Sequence, residues 1–450
     1  MSSTITENQI TDTQAYCQQL ADKAYAASRS LSGVASQQRI DALNAIATRI
    51  EASAEFLKSE NAKDLAAGEA NGLSSAMLDR LKIDDTRIAS IAGSVREIAS
   101  QTDPLGQIIE GRVLPNGLKL SKVRVPLGVV LIIFESRPNV TSDAAVLCIK
   151  SGNATILRGG KEAIHSNNAL AQCVRGGLED AGINPDVVQL VQTTDRAAVG
   201  ALLKMDNRID LAIPRGGKSL IKAVVEQAHI PVIKHYTGNC HVYVDNVCDE
   251  QMAIDICINA KTQRTGVCNA TETILLHKDV VASGLGKKIC DALIAKGVEI
   301  RGDASIAKLN DKIKAATPQD WDEEYLDMIV AMKTVDSLAD AATHINDHGS
   351  RHTDAIVTND VNHADQFVQS VDTANTFVKL DSRFKRYTPE NSKIQGGGAS
   401  TLVDFAPELC HFASLALSHV VAAVRLQLQL AIGLGGGFVR VGEDANAAAA

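Results

Sequence analysis

Val125-Pro-Leu-Gly-Val-Val-Leu-Ile-Ile-Phe134 is an unbroken apolar run, and Ala154-Thr-Ile-Leu157 echoes it before the turn Arg158-Gly159-Gly160-Lys161. Runs that are apolar throughout, rather than at alternate positions, belong to strands covered on both faces, the usual situation in a parallel sheet. Ser142 to Ile149 lies between them and reads as the connecting helix. The series continues with helical residues from Glu162 to Leu178, strand-like Val187 to Val191, a helix from Arg196 to Met205, and strand-like Leu211 to Ile213. Pro214-Arg215-Gly216-Gly217-Lys218 then turns into a helix through Ala228. Strands alternating with helices predict an α/β fold whose ligands sit beyond the carboxyl ends of the strands, the edge on which both glycine turns fall.

After His241-Val-Tyr-Val-Asp245 a second alternating block starts: helix 249–260, strand 272–277, helix 279–296 and further elements to about Val357. It reads as a second α/β domain with its own parallel sheet. Upstream, residues 10–100 are helical, with Ile40, Leu43, Ile46, Ile50, Ala54 and Leu57 forming one apolar stripe. Between Gln107 and Arg124 two alternating segments flank Pro115-Asn116-Gly117, the pattern of a hairpin, and their polar alternation suggests a projecting arm.

Composition narrows the function classes. With 450 residues, 45% hydrophobic and a formal charge of -8, the chain has ample material for large cores and two or more domains. A net acidic chain without a Lys/Arg block argues against a nucleic-acid partner. Nine cysteines (17, 148, 173, 240, 248, 257, 268, 290 and 410), none in a Cys-x-x-Cys pair, fit reduced thiols and a cytoplasmic location. The N-terminus has neither basic cap nor apolar stretch of signal-peptide type, so no export is expected. Phe412 to Leu434 is apolar but interrupted by His419, Arg425, Gln427 and Gln429, which argues against a membrane span.

The chemistry-bearing segment is Asn259 to His277, where Cys268 sits in a short polar loop just ahead of an apolar strand. Small or polar neighbours (Gly266, Asn269, Thr271) would let a substrate approach the sulfur, and Lys261 and Arg264 would favour thiolate. The competing reading is a core cysteine. Arg158 to Lys161 combines backbone N–H groups and two cations at a helix start, an arrangement suited to phosphate. Pro214 to Lys218 repeats it, yet Ala212 stands where a P-loop needs its first glycine, and no Gly-x-Gly-x-x-Gly fingerprint occurs. Either turn taken singly also reads as a plain strand–helix connection. His344, His348 and His352 recur every four residues, but Gly349-Ser350 should end the helix after His348, so no metal is expected. Asp322, Glu323 and Glu324 beside Trp321 read as a mostly solvated acidic patch.

Five segments, Val125 to Val140, Ser151 to Gly160, Ile213 to Gly217, the Cys268 run and Val335 to Ile356, resemble the gamma-glutamyl phosphate reductase (glutamate-5-semialdehyde dehydrogenase) family of the aldehyde dehydrogenase superfamily. The resemblance runs from near the N-terminus to Phe384. It implies an aldehyde-dehydrogenase-like fold: a dinucleotide-binding domain from residues 1–106 and 125–240, a β-hairpin oligomerisation arm at 107–124, and a catalytic domain at 241–384. By the same resemblance Cys268 would attack the acyl phosphate of L-glutamyl 5-phosphate and expel phosphate, and NADPH would reduce the thioacyl enzyme to the semialdehyde. Asn139, with Asn269 in reserve, would stabilise the oxyanion beside the Cys268 backbone N–H. Arg158, Gly159, Gly160 and Lys161, together with Pro214, Arg215, Gly216 and Gly217, would line the dinucleotide, and Glu324 would lie near the nicotinamide ribose. Lys261 and Arg264 would hold the anionic ends of the substrate. Hydrolytic members of the superfamily carry a water-activating glutamate in a Glu-Leu-Gly-Gly motif; the matching stretch here is His235-Tyr-Thr-Gly238, as suits a reductase. A glutamate 5-kinase is the implied functional partner and a homo-oligomer the implied assembly. The rival functions are an ordinary NAD(P)-dependent aldehyde dehydrogenase and a cofactor-binding protein with impaired catalysis.

The resemblance stops at Phe384. Residues 385–450 lack the family's glycine-rich continuation and the His-Ala-Arg-Gly-Pro stretch that completes the arm, and Lys393 is the last lysine. The tail therefore reads as a shifted reading frame or a divergent extension, with assembly expected to suffer.

Overall fold

The computed structural model describes residues 12–234, 238–379, 427–431 and 438–442, apart from the side chains of Ala76 and of the last two segments. The chain divides into two compact units, residues 1–235 with 410–450, and 236–409.

The first unit opens with five helices: α1 (Thr13–Leu31), α2 (Ser36–Ala52), α3 (Ala54–Ala70), α4 (Ser75–Leu81) and α5 (Asp85–Ser100). The apolar stripe from Ile40 to Leu57 is thus shared by two helices, because Ser53 leaves helical geometry at φ -97 and ψ 16 and divides α2 from α3. Leu43, Ile46, Ile50 and Leu57 are all fully buried, so the apolar periodicity survives the break. Strands β1 (Ile108–Val113) and β2 (Lys119–Val123) then pair antiparallel, with Arg112 opposite Leu120 and Val113 opposite Lys119. Next comes the alternating series β3 (Val129–Phe134), α6 (Asn139–Lys150), β4 (Ala154–Arg158), α7 (Ile164–Asp180), β5 (Val188–Leu190), α8 (Ala197–Leu202), β6 (Leu211–Arg215) and α9 (Lys218–Gln227). Its four strands are parallel in the order β5-β4-β3-β6, and every residue of β3 is buried, which is why that run carries no polar position.

The second unit contains β7 (Cys240–Val244), α10 (Glu250–Thr262), β8 (Thr271–His277), α11 (Lys278–Ala282), α12 (Leu285–Ala295), β9 (Glu299–Gly302), β10 (Lys314–Ala315), β11 (Ile329–Val335), α13 (Leu338–His348), β12 (Thr353–Val357), α14 (Val361–Ser370) and β13 (Asn375–Val378). Seven parallel strands run in the order β10-β9-β11-β8-β7-β12-β13. The single helix expected over 279–296 is two: Gly284 takes φ 86, a left-handed conformation that ends one helix and caps the next. A core of Val242, Val244, Ile274, Leu276, Val330 and Met332 lies on one side of this sheet, packed by Ile256, Ile289 and Leu293 from α10 and α12. A smaller cluster of Tyr243, Leu275, Ile345, Ile356 and Phe367 covers the other.

Of the tail, two strands are described, β14 (Gln427–Ala431) and β15 (Phe438–Gly442). They extend the hairpin into a four-stranded sheet of order β1-β2-β14-β15, with Ala431 opposite Lys119, although the sequence shows no family motif there. The other residues from 380 onward, and with them most of the atypical tail, lie outside the described residues. No helix among the described residues is long and apolar enough to cross a membrane.

Candidate active site

Cys268 stands in the loop from α10 to β8, where the chain must climb from the end of a helix to the amino end of a central strand. Among the described cysteines, Cys248 and Cys268 are the two that are not buried. The Cys268 Sγ lies 3.2 Å from Nε2 of His352, and Nδ1 of that ring lies 2.7 Å from Oγ1 of Thr353. Cys240, at the start of β7, donates its S–H to the Cys268 carbonyl at 3.1 Å. Burial, with the nearby Asp354 and Cys268 adding to it, pushes the Cys240 thiol well up, so it remains a neutral donor.

Gly238 packs directly on the Cys268 backbone, leaving no room for a side chain. Its N–H donates to Oε1 of Glu324 at 2.7 Å. Glu324, expected near a ribose, is therefore also a backbone anchor for the strand entry beside the sulfur. A Gly238→Ala variant is expected to stay folded but lose at least about 100-fold in turnover, because a displacement of the Cys268 backbone by about 1 Å is enough for that loss; paired kinetics and circular dichroism check it.

Lys261 does not present its charge to the loop. Its ammonium lies 2.6 Å from Oε2 of Glu272, and both side chains are completely buried. Burial pulls the Lys261 pKa down against the pull of Glu272, while burial pushes Glu272 up to about 7. The cation expected beside the sulfur is thus internally compensated, a consequence of α10 facing its last turn into the unit. Arg264 is exposed, and Asn269 is buried beside Cys268.

The three histidines part company where α13 ends. The Gly349 N–H donates to Ile345 at 2.7 Å and the helix closes. His344 and His348 remain on it with ring centroids 4.5 Å apart, and Trp321 meets His344 edge-on at 5.6 Å. Burial pushes the His344 pKa down to about 2, so that ring is neutral. His348 Nδ1 lies 2.9 Å from Asp322, which gives one residue of the acidic patch a partner. His352 instead follows Arg351, which occupies the left-handed region at φ 59, and turns to the cysteine. The sequence by itself pairs no histidine with Cys268; the one signal it offers is a lone loop cysteine combined with a histidine elsewhere in the chain.

In the first unit, Gly159, Gly160 and Lys161 line a shallow cleft with Leu190, Val191, Thr193 and Thr194. A Cβ on Gly160 would lie 2.9 Å from the Ser136 hydroxyl and 3.0 Å from its backbone nitrogen, so bare backbone is needed at this wall. Arg158 is half-buried and spans to the Thr194 carbonyl at 3.3 Å. The second turn differs: the Gly217 N–H at the start of α9 donates to Oε1 of Glu135 at 3.1 Å, and Glu135 also crowds Gly216. Pro214 and Arg215 close β6 beside it. A carboxylate of the chain itself occupies that amide, whereas the first turn opens on the cleft. Asn139 begins α6 and donates from Nδ2 to Asp143 at 2.9 Å.

A profile of the aldehyde dehydrogenase family matches residues 3–296. The chain belongs to the aldehyde dehydrogenase family. Among solved structures, gamma-glutamyl phosphate reductase from Thermotoga maritima is 34% identical, with a TM-score of 0.78 over 82% of this chain and 89% of that one. Gamma-glutamyl phosphate reductase from Saccharomyces cerevisiae is 32% identical over 82% of this chain and 93% of that one, with a TM-score of 0.46. An acetylating aldehyde dehydrogenase from Geobacillus thermoglucosidasius, 16% identical over 82% of this chain and 87% of that one at a TM-score of 0.59, shares the fold. This family member is an oxidoreductase acting on a small molecule, and its fold implies a nicotinamide cofactor. The side chains lining the glycine-walled cleft are chemically compatible with one: apolar Leu190 and Val191 with a ring face, Lys161 and the two threonines with hydroxyl or phosphate oxygens.

Proposed function

We propose that the protein is an NADPH-dependent acyl-phosphate reductase that converts L-glutamyl 5-phosphate to L-glutamate 5-semialdehyde and phosphate, the second step of proline biosynthesis from glutamate. The observation that carries this reading is the 34% identity across 89% of the Thermotoga maritima gamma-glutamyl phosphate reductase. The partly buried Cys268 beside an imidazole adds a chemical reason.

In this reading Cys268 Sγ bonds to the acyl carbon, and the carbon–oxygen bond to phosphate breaks, leaving a thioacyl enzyme. The Cys268 backbone N–H, with the amide of Asn139 or Asn269, steadies the oxyanion. Arg264 is the exposed cation for an anionic end of the substrate, since Lys261 is committed to Glu272. NADPH, held by Arg158, Gly159, Gly160 and Lys161 and along Pro214 to Gly217, with Glu324 toward its ribose, supplies hydride to the thioacyl carbon. Cleavage of the carbon–sulfur bond then returns Cys268 and frees the aldehyde. No water need be activated, in keeping with the lack of a carboxylate in His235-Tyr-Thr-Gly238, of which His235 to Thr237 lie outside the described residues.

Residues 1–106 and 125–240 form the dinucleotide-binding domain in this reading, 107–124 the arm of a homo-oligomer, and 241–384 the catalytic domain. A glutamate 5-kinase in the same cytoplasm supplies the acyl phosphate, whose high reactivity favours immediate use. A coupled assay with glutamate, ATP and a glutamate kinase tests the proposal through NADPH consumption. In reverse, semialdehyde oxidation should require phosphate. Equal rates in phosphate-free buffer would point to an ordinary aldehyde dehydrogenase, and NADPH binding without turnover to an inactive protein.

A further inference from the structure

We infer that His352 is a catalytic residue, the base that takes the Cys268 proton as the sulfur bonds to the acyl carbon. This inference rests on the reading of Cys268 as nucleophile. Nε2 of His352 is 3.2 Å from Cys268 Sγ, within reach of an S–H donor. Nδ1 lies 2.7 Å from the Thr353 hydroxyl. With Nδ1–H donating to that oxygen, the lone pair of the neutral ring sits on Nε2 and faces the sulfur. The backbone is shaped for this aim. Arg351 holds a left-handed φ of 59, costly for a residue with a side chain, and its carbonyl accepts from Ala374 at 3.1 Å. The His352 carbonyl accepts from Asn375 Nδ2 at 3.0 Å, which ties the same turn to β13 from the other side.

Charged and titratable groups of β7, β8 and β12 lie near the ring. Cys240 Sγ on β7 is 3.9 Å from Nδ1 and stays protonated. Asp354, two residues along β12, accepts from the backbone N–H of His241 at 2.8 Å and lies 3.1 Å from its Nδ1. Glu272 on β8 is paired with Lys261. Asp354 Oδ1 is engaged by His241 and Glu272 by Lys261, and the Cys268 sulfur at 3.2 Å from Nε2 is the ring's proton donor in this reading. The proton passes from Sγ to Nε2 as the sulfur–carbon bond forms. When the carbon–oxygen bond breaks, the imidazolium returns it to the departing phosphate, leaving His352 neutral.

The test is the pH profile of Cys268 alkylation by iodoacetamide, followed by mass spectrometry of its peptide in the full chain. It needs neither substrate nor cofactor. In the wild type the midpoint should lie below that of an ordinary thiol, about 8.5. In His352→Gln it should rise to that value or above, and kcat should fall roughly 10²- to 10⁴-fold with KM little changed. Thr353→Val, which removes the acceptor for Nδ1–H, should give a smaller loss of roughly 5- to 10-fold, the worth of one hydrogen bond, and serves if His352→Gln does not fold. An alkylation profile and kcat unchanged in both variants would overturn the assignment. A shifted alkylation profile in a protein that never consumes NADPH with L-glutamyl 5-phosphate would instead sink the proposed reaction and leave the Cys–His pair standing.

Discussion

Cys268→Ala should lose roughly 10⁴- to 10⁶-fold in NADPH consumption with L-glutamyl 5-phosphate, the scale seen when a covalent nucleophile is removed. Stability and cofactor affinity should hardly change. Cys268 is not fully buried, so truncation opens no sealed cavity, and the glycine-walled cleft is built from residues of the other unit. Two readouts separate this outcome from simple misfolding: the melting temperature, and the quenching or enhancement of NADPH fluorescence on binding. Equal turnover in wild type and variant would remove the sulfur from the mechanism and with it the proposed thioacyl enzyme.

Lys261→Met should destabilise the second unit by about 3–5 kcal/mol, the penalty for leaving one member of a buried ion pair alone. Glu272 would then keep the Leu326 N–H at 3.3 Å but lose its ammonium, and the loss should depend on pH in a definite direction. Burial holds the Glu272 carboxyl at about 7 in the folded protein, above the value of about 4.3 for an unfolded chain. A folded state that binds the proton more tightly is favoured at low pH, and that contribution fades as pH rises through the folded pKa. Removing Lys261 raises the folded pKa further, so the deficit relative to wild type should grow from pH 5 to pH 8. Thermal melts at both values measure it. Adding Glu272→Gln should recover most of the stability at pH 8, because no charge then remains to be buried; a deficit equal at both pH values, or untouched by the second change, would refute the electrostatic account.

The Lys261 pair also marks where local reading gave out. In sequence, a lysine seven residues before Cys268 looks like a charge placed to help the sulfur. Whether it points to the loop or into the unit depends on how the last turn of α10 is rotated against β8, and the packing of that helix sets the rotation. The same holds for the glycine turns. Both read as strand–helix connections with bare amides, but the carboxylate of Glu135, 82 residues before Gly217, reaches one of them and leaves the other facing a cleft. The helix expected over 279–296 failed for a more local reason, since Gly284 adopts a conformation that its lack of a side chain permits but does not announce.

What the order of residues determined by itself was the alternation of buried strands and helices: the apolar runs of β3, β4 and β8 and the helical stripe of Leu43, Ile46 and Ile50 are periodic over a few residues, and such patterns settle which backbone form can bury them. The long motifs likewise carried the family. Only the tertiary structure decided that His352 meets Cys268 from 84 residues away while, of the two histidines spaced like it, His344 packs against Trp321 and His348 against His344. That choice is made by the end of α13, the left-handed Arg351 and the neighbouring β7, β8 and β12 of one sheet. Contacts between distant segments exist only once strand order and register bring those segments together.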